Sequence, residues 1–211
     1  MRFAPVLLLS TLLTAAVVAQ QPPMQAPGSK NPAAISGGTY TADAGHTLVE
    51  WTVDHLGFTP YFGLFGNITG TLTLDPKNLA AAKVDVSIPV VEVTTASAGL
   101  TKHLLKPADA GKSADFFGAA PAPARFVSTR VTPSGQTAKI AGNLTLNGVT
   151  RPVTLDAAFY GAGKMPAQMG GKENVGFTAT TSIRRSEFNV GYGIPMVSDE
   201  VKLKITAAFQ K

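Results

Sequence analysis

From Tyr40 to Lys211 apolar and polar side chains trade places one by one, run after run. That period of two commits the chain to β-strands with one apolar face, because successive side chains on a strand point to opposite sides. Val49, Trp51, Val53 and His55 fall on one face and Glu50, Thr52 and Asp54 on the other. Ile68, Leu72 and Leu74 oppose Thr69, Thr71 and Thr73; Val84, Val86, Ile88 and Val90 oppose Lys83, Asp85 and Ser87. The pattern returns in Ile140/Leu144/Leu146, Val153/Leu155/Phe159 and Val175/Phe177/Ile183, and ends in Val201, Leu203, Ile205 and Phe209. Asp75-Pro76, Pro133-Ser134-Gly135, Asn147-Gly148 and the stretch from Gly161 to Gly171 supply turns between runs. Asn147-Gly148 is the strongest hairpin signal, since both positions tolerate the positive φ of a type I′ turn.

Two stretches break the alternation. Leu100, His103 and Leu104 have helical spacing within Thr95–Lys106, with Thr94 or Thr95 as the expected cap, and a further helical turn is expected over Ser113–Phe117. Eight or nine one-faced strands with one helical excursion predict an all-β domain, a closed antiparallel barrel or a sandwich. Closure removes exposed edges, and a barrel of about eight strands leaves room for its own side chains or for one small ligand.

The first residues read as an address. Met1-Arg2, the apolar run Val6–Val18 and the small residues of Val17-Val18-Ala19 form the three parts of a secretory signal over residues 1–19, cut after Ala19. The run is too short to span a bilayer. Export to the periplasm, or secretion, is the expected destination. Residues 20–38, rich in Pro, Gln, Ala and Gly, are expected to be a disordered leader, with one domain over 39–211. The chain has no cysteine, so packing and sheet hydrogen bonds must hold it without disulfides.

Charge and motifs exclude several functions. The formal net charge is +5, but the basic residues are scattered without aromatic interleaving, which argues against nucleic acid as a partner. The three histidines, His46, His55 and His103, have no compact metal spacing, so no metal site is expected. No nucleophile elbow, dinucleotide fingerprint, phosphate loop or zinc-protease motif occurs, and no catalytic residue is assigned.

Ordered short motifs then give a family resemblance. Tyr40-Thr41-Ala42-Asp43 with His46, Trp51-Thr52-Val53-Asp54-His55-Leu56-Gly57 with Gly63-Leu64-Phe65, and His103-Leu104 come first. Asp115-Phe116-Phe117, Pro123–Ser128, Gly142–Val153, Arg185-Ser186-Glu187-Phe188 and Ser198-Asp199-Glu200-Val201 follow. Together they resemble the YceI-like family, lipocalin-like polyisoprenoid-binding proteins exported by bacteria. Asn189 departs from that pattern, standing where the family usually has Gly. The resemblance implies an extended lipocalin-like barrel of about eight strands, and as ligand a long isoprenoid or similar amphiphile in an apolar tunnel.

Under that reading Trp51, Val53, Ile68, Phe117, Phe126, Phe177 and Ile183 are expected to line the tunnel. Phe58, Tyr61, Phe62 and Phe65, beside Gly57, Gly63 and Gly66, either plug a barrel end or rim a glycine-hinged mouth. His55, His103 and Arg185 are candidates to meet the ligand's polar head, although for Arg185 a structural bridge, between strands or to a carboxylate such as Asp54 or Glu187, is the stronger reading. No cofactor is expected beyond the bound lipid. The expected role is sequestration or carriage without chemistry. An enzyme acting on a lipid or quinone head group, and a ligand-free envelope protein with a filled barrel, are the alternatives. The sequence leaves open a transient contact with a membrane or membrane protein, and pairing into a homodimer.

Overall fold

The computed structural model describes residues 25–211; the expected export signal lies outside the described residues. Eleven strand segments form one sheet: β1 (Gly38–Ala42), β2 (Leu48–His55), β3 (Thr59–Phe65), β4 (Thr69–Leu74), β5 (Lys83–Ile88), β6 (Thr94–Thr95), β7 (Ala124–Ser134), β8 (Thr137–Leu146), β9 (Val149–Lys164), β10 (Glu173–Arg184) and β11 (Glu200–Gln210). One helix, α1 (Ala98–Leu104), lies between β6 and β7.

Several segments are halves of interrupted strands. β11 pairs with β2 through Lys202–Thr206 and with β1 through Phe209 and Gln210, so β1 and β2 run along the same edge of it. β3 and β4 continue one another opposite them, and β5 and β6 continue one another opposite β3 and β4. Counted so, eight antiparallel strands follow in chain order and the β1–β11 pairing closes them into a barrel. Closure leaves few free backbone groups to recruit other strands. The predicted hairpin at Asn147-Gly148 joins β8 to β9, with φ of 49° and 76° at the two residues.

The barrel has two unlike ends. At the leader end lie the start of β1 and the β4–β5, β7–β8 and β9–β10 connections; at the hairpin end lie the β2–β3 tip, α1 and the β10–β11 connection. A buried apolar cluster of Ile35, Tyr40, Leu72, Leu74, Ala162, Val175 and Phe209 fills the first. Phe126, Leu144 and Phe188 form a second cluster.

Four local expectations are corrected. The aromatic stretch after Phe58 is not a glycine-hinged turn but strand β3, paired with β2 from His55–Thr59 to Val49–Phe65. Only Leu56–Phe58 turns, with Leu56 and Gly57 both at positive φ. The cap of α1 is Ser97, whose hydroxyl accepts the Leu100 N–H at 3.2 Å, rather than a threonine. Thr95 instead accepts the Ser97 N–H through its own hydroxyl. Ser113–Phe117 forms bends and no helix, because Phe117 donates its N–H to the Leu104 carbonyl and is drawn back onto α1. The second half of the expected disordered leader is also structured: Pro32–Ala34 is a short 3-10 turn capped by Asn31, and Ile35 is buried. Ile35 and hydrogen bonds to the barrel dock it, despite a composition poor in periodicity.

Candidate functional site

The inward residues of the barrel enclose two chambers set end to end. The chamber toward the leader end has a volume of about 330 Å³ and the one toward the hairpin end about 470 Å³. Val49, Ile88, Leu144 and Leu203 line both, forming a belt where the two meet. Each volume lies in the range of roughly 300–1,000 Å³ typical of small-molecule sites. The interior is therefore open space rather than packed side chains.

Parity decides which residues reach it. Trp51, Val53, Phe65, Phe117 and Ile183 line the hairpin-side chamber; Ile68, Phe126 and Phe177 line the leader-side chamber. Trp51 sits directly across from Gly63, where a Cβ would collide with the indole, so the glycine is what lets the ring lie flat against β3. Gly142 plays the same part under Phe126. Phe65 meets Phe117 edge to face at 6.2 Å, and Phe177 meets Phe159 at 6.1 Å.

Phe58 and Phe62 line neither chamber. Phe62 pairs with Thr52 on the outward set of β2–β3 and is 59% exposed; Phe58, at the hairpin tip, is 85% exposed. Between them Tyr61, opposite Val53, faces inward; the sequence groups it with its phenylalanine neighbours without singling it out. The period of two that placed Val53 inside would have identified it.

Among the described residues, no Asp, Glu, Lys, Arg or His lines the leader-side chamber. The hairpin-side chamber is lined by His55, His103 and Arg185. His55 ends the inward row of β2 at the exposed rim. His103 is half-buried, its Nε2 lies 2.7 Å from Asp115 Oδ2, and its ring packs edge to face on Phe116 and Tyr192. Arg185 is 6% exposed and its guanidinium is spent on the protein. Nε donates to the Ser198 carbonyl at 2.9 Å, one Nη donates to Val190 and Tyr192 at 2.8 Å each, and the other to Val197 at 2.9 Å. The bridge, the stronger of the two readings for this residue, is what the hydrogen bonds form, and it runs to loop carbonyls rather than to Asp54 or Glu187. With four of its five N–H groups engaged, it staples the β10–β11 connection across the barrel mouth. Burial pushes its pKa below the usual guanidinium value, opposed by nearby Asp199.

Two further polar atoms are buried without a hydrogen-bond partner among the described residues, Trp51 Nε1 and Tyr61 Oη. Both belong to side chains of the hairpin-side chamber. Buried donors are rarely left unpaired, so two on adjoining strands mark the polar part of an otherwise apolar space.

Sequence and structure comparisons agree with this geometry. Residues 40–209 match the model of the YceI-like domain. The chain belongs to the YceI-like family. It is 42% identical over 162 residues to protein YceI of Escherichia coli O17:K52:H18, an alignment covering 76% of this chain and 80% of that one. Among solved structures it is similar to the Campylobacter jejuni YCEI protein, with a TM-score of 0.62 at 27% identity over 75% of this chain and 89% of that one. A polyisoprenoid-binding domain from Saccharophagus degradans, implicated in plant cell wall breakdown, shares the fold with a TM-score of 0.56 at 12% identity, covering 81% of this chain and 97% of that domain.

Proposed function

We propose that this member of the YceI-like family is an exported, periplasmic binding or carrier protein, without chemistry of its own, for a long-chain isoprenoid of polyprenyl or quinone-like type or a similar amphiphilic lipid. The observation that carries this reading is the pair of chambers joined at one aliphatic belt, the leader-side one lined by no ionisable side chain among the described residues. Such a surface offers a polar solute no charge, only the threonines and Gln136 among its aliphatic and aromatic lining. A hydrocarbon tail gains about 0.8 kcal/mol for each methylene it buries, so some twenty carbons supply on the order of 15 kcal/mol before ordering costs. The polyisoprenoid-binding neighbour of the same fold supports the choice of ligand class.

The tail lies in the leader-side chamber and the polar head toward the hairpin end, where His55, Trp51 Nε1 and Tyr61 Oη are found. Exposed apolar side chains cluster at that end. Leu56 and Phe58 at the tip and Tyr192, Ile194 and Met196 in the β10–β11 connection are all solvent-facing, and the Leu56 N–H donates to the Met196 carbonyl at 2.8 Å. A membrane surface is the natural place for such a rim to load its ligand.

Organic extraction of the natively purified protein followed by mass spectrometry tests the proposal. A co-purifying isoprenoid, or uptake of added geranylgeraniol or solanesol into the emptied protein, is the expected result. Repeated absence of both removes it.

A further inference from the structure

The residues ahead of the family-matched barrel, which begins at residue 40, do more than trail from it. β8 ends its pairing with β9 at Ala158, leaving the last part of β9 without a neighbour on that side. The N-terminal segment takes the vacant edge: Ser29 and Ala162 exchange both backbone hydrogen bonds at 2.9 Å. Gly161 and Gly163 make this approach feasible. A Cβ on Gly163 would collide with the Pro27 carbonyl, and one on Gly161 would lie 3.2 Å from the Ser29 carbonyl oxygen. Gln136, in the β7–β8 turn, donates to the Lys30 carbonyl, and the Lys30 ammonium sits 4.4 Å from the centroid of the Tyr160 ring.

From there the chain crosses the barrel end and turns Pro32 and Ile35 into the leader-side chamber, which both residues line. Ile35 is buried among Tyr40, Leu72, Leu74 and Phe209. A polar clasp holds the crossing in place. The Ser36 N–H and hydroxyl both donate to Glu173 at 3.0 Å, and the Tyr40 hydroxyl donates to Glu173 at 2.9 Å. Lys211 donates to the Ser36 hydroxyl oxygen at 2.7 Å and to the Gly37 carbonyl at 2.6 Å. Contacts with β9, β10, β11 and the β7–β8 turn therefore converge on ten residues that no strand of the barrel requires.

From this we infer that residues 27–36 form a fixed end wall of the binding channel, so that ligand enters and leaves through the hairpin end alone. The inference rests on the lipid-channel reading and adds to it a direction of exchange and a wall that lies outside the family domain. The wall supplies apolar lining at the tail end and denies water a second entrance.

The full chain provides the test, with geranylgeraniol as probe and the fluorescence of Trp51, the chain's single tryptophan, as readout. Ile35→Asp disrupts the wall from inside and Gly163→Val from outside; each is expected to speed probe release about tenfold. Ser29→Cys with Ala162→Cys, oxidised in a chain that has no other thiol, is expected to leave uptake and release at the parent rates. Blocked uptake in the oxidised form would make the segment a gate and overturn the fixed wall, as would unchanged release in both disrupted variants. A separate readout needs no ligand. A thiol placed by Ile35→Cys is expected to resist maleimide until the protein unfolds, and one that reacts like a free thiol overturns the wall whether or not lipid binds. A parent that takes up no probe while this thiol stays protected overturns the lipid reading and leaves the wall standing.

Discussion

The two ends of the barrel solve opposite problems with the same strands. At the leader end the chain covers its apolar interior: Ile35 is buried, and Ser36, Tyr40, Glu173 and Lys211 satisfy one another across the seam. At the hairpin end Phe58, Phe62, Tyr192 and Met196 are left in solvent while the loop that carries two of them is stapled by Arg185. The exposed side chains there are not a sign of loose structure, because the backbone beneath them is bonded to β2 through Asp54, Leu56 and Ser198. Apolar side chains are exposed elsewhere too, Tyr160 and Met169 among them, but at the hairpin end they sit together around the chamber's mouth.

Four measurements sharpen or break this contrast, ordered by expected effect on stability. Arg185→Met leaves four loop carbonyls without their donor and should cost about 4 kcal/mol in urea unfolding; a loss below about 1 kcal/mol would show that the mouth is not held by the guanidinium. Ile35→Ala, at the opposite end, should cost about 2–3 kcal/mol, the range for truncating a buried aliphatic side chain that leaves a partial cavity. If it costs nothing, the leader end is not sealed by packing.

The third measurement concerns pH. The Glu173 carboxyl is held below its ordinary value by the Ser36 N–H, helped by the hydroxyls of Tyr40 and Ser36 and by the Lys211 ammonium. A depressed carboxyl pKa stabilises the fold fully above the ordinary carboxylate value of 4.5, and the contribution fades as pH falls through the lower folded value. Tyr40 has the converse sign: burial, then Glu173, pushes its pKa up to about 12, so its contribution is full below the ordinary value of 10.0 and is lost as pH rises from there through about 12. Hydrogen exchange at Ser29 and Ala162 should therefore lose protection in acid sooner than exchange in the β2–β3 hairpin, and Glu173→Gln should abolish the difference. Equal acid sensitivity at both ends would contradict the clasp. The smallest effect on stability belongs to Phe58→Ser combined with Met196→Ser, expected within about 0.5 kcal/mol of the parent because both side chains are exposed. The same pair should lower co-sedimentation with phospholipid vesicles by about tenfold, each buried apolar side chain contributing more than 1 kcal/mol at a membrane surface. Unchanged sedimentation would deny the rim its role.

Much of the barrel was legible because alternation is a local property: each run from Val49 to Phe209 carries its own inside and outside, and Asn147-Gly148 fixes a turn by φ alone. Eight of the ten residues expected at the apolar lining and mouth do face a chamber, seven of them on strands and Phe117 from the bends drawn back onto α1. Phe58 and Phe62 lie outside both chambers, Phe58 at the exposed tip and Phe62 on the outward face of β3; aromatic crowding near glycine does not tell inside from outside, whereas parity puts Tyr61 inside. What Arg185 binds was not legible, since its partners are carbonyls of residues 5–13 positions away that any sequence would supply. Nor was the end wall, whose cues are two glycines in β9 and one isoleucine in a proline-rich stretch. Asn189 was a departure from the family pattern with a simple structural answer: it adopts φ of 59°, the left-handed region that Asn enters more readily than other side chains.

The most direct trial of the channel is a crystal structure of the protein loaded with an isoprenoid carrying bromine at the end of its tail. The account predicts an anomalous peak in the leader-side chamber beside Phe177 and Ile35, with continuous density passing Val49, Ile88, Leu144 and Leu203 to a polar head near Tyr61 and His55. A bromine on the outer surface, or in the hairpin-side chamber with the inner one empty, would contradict it.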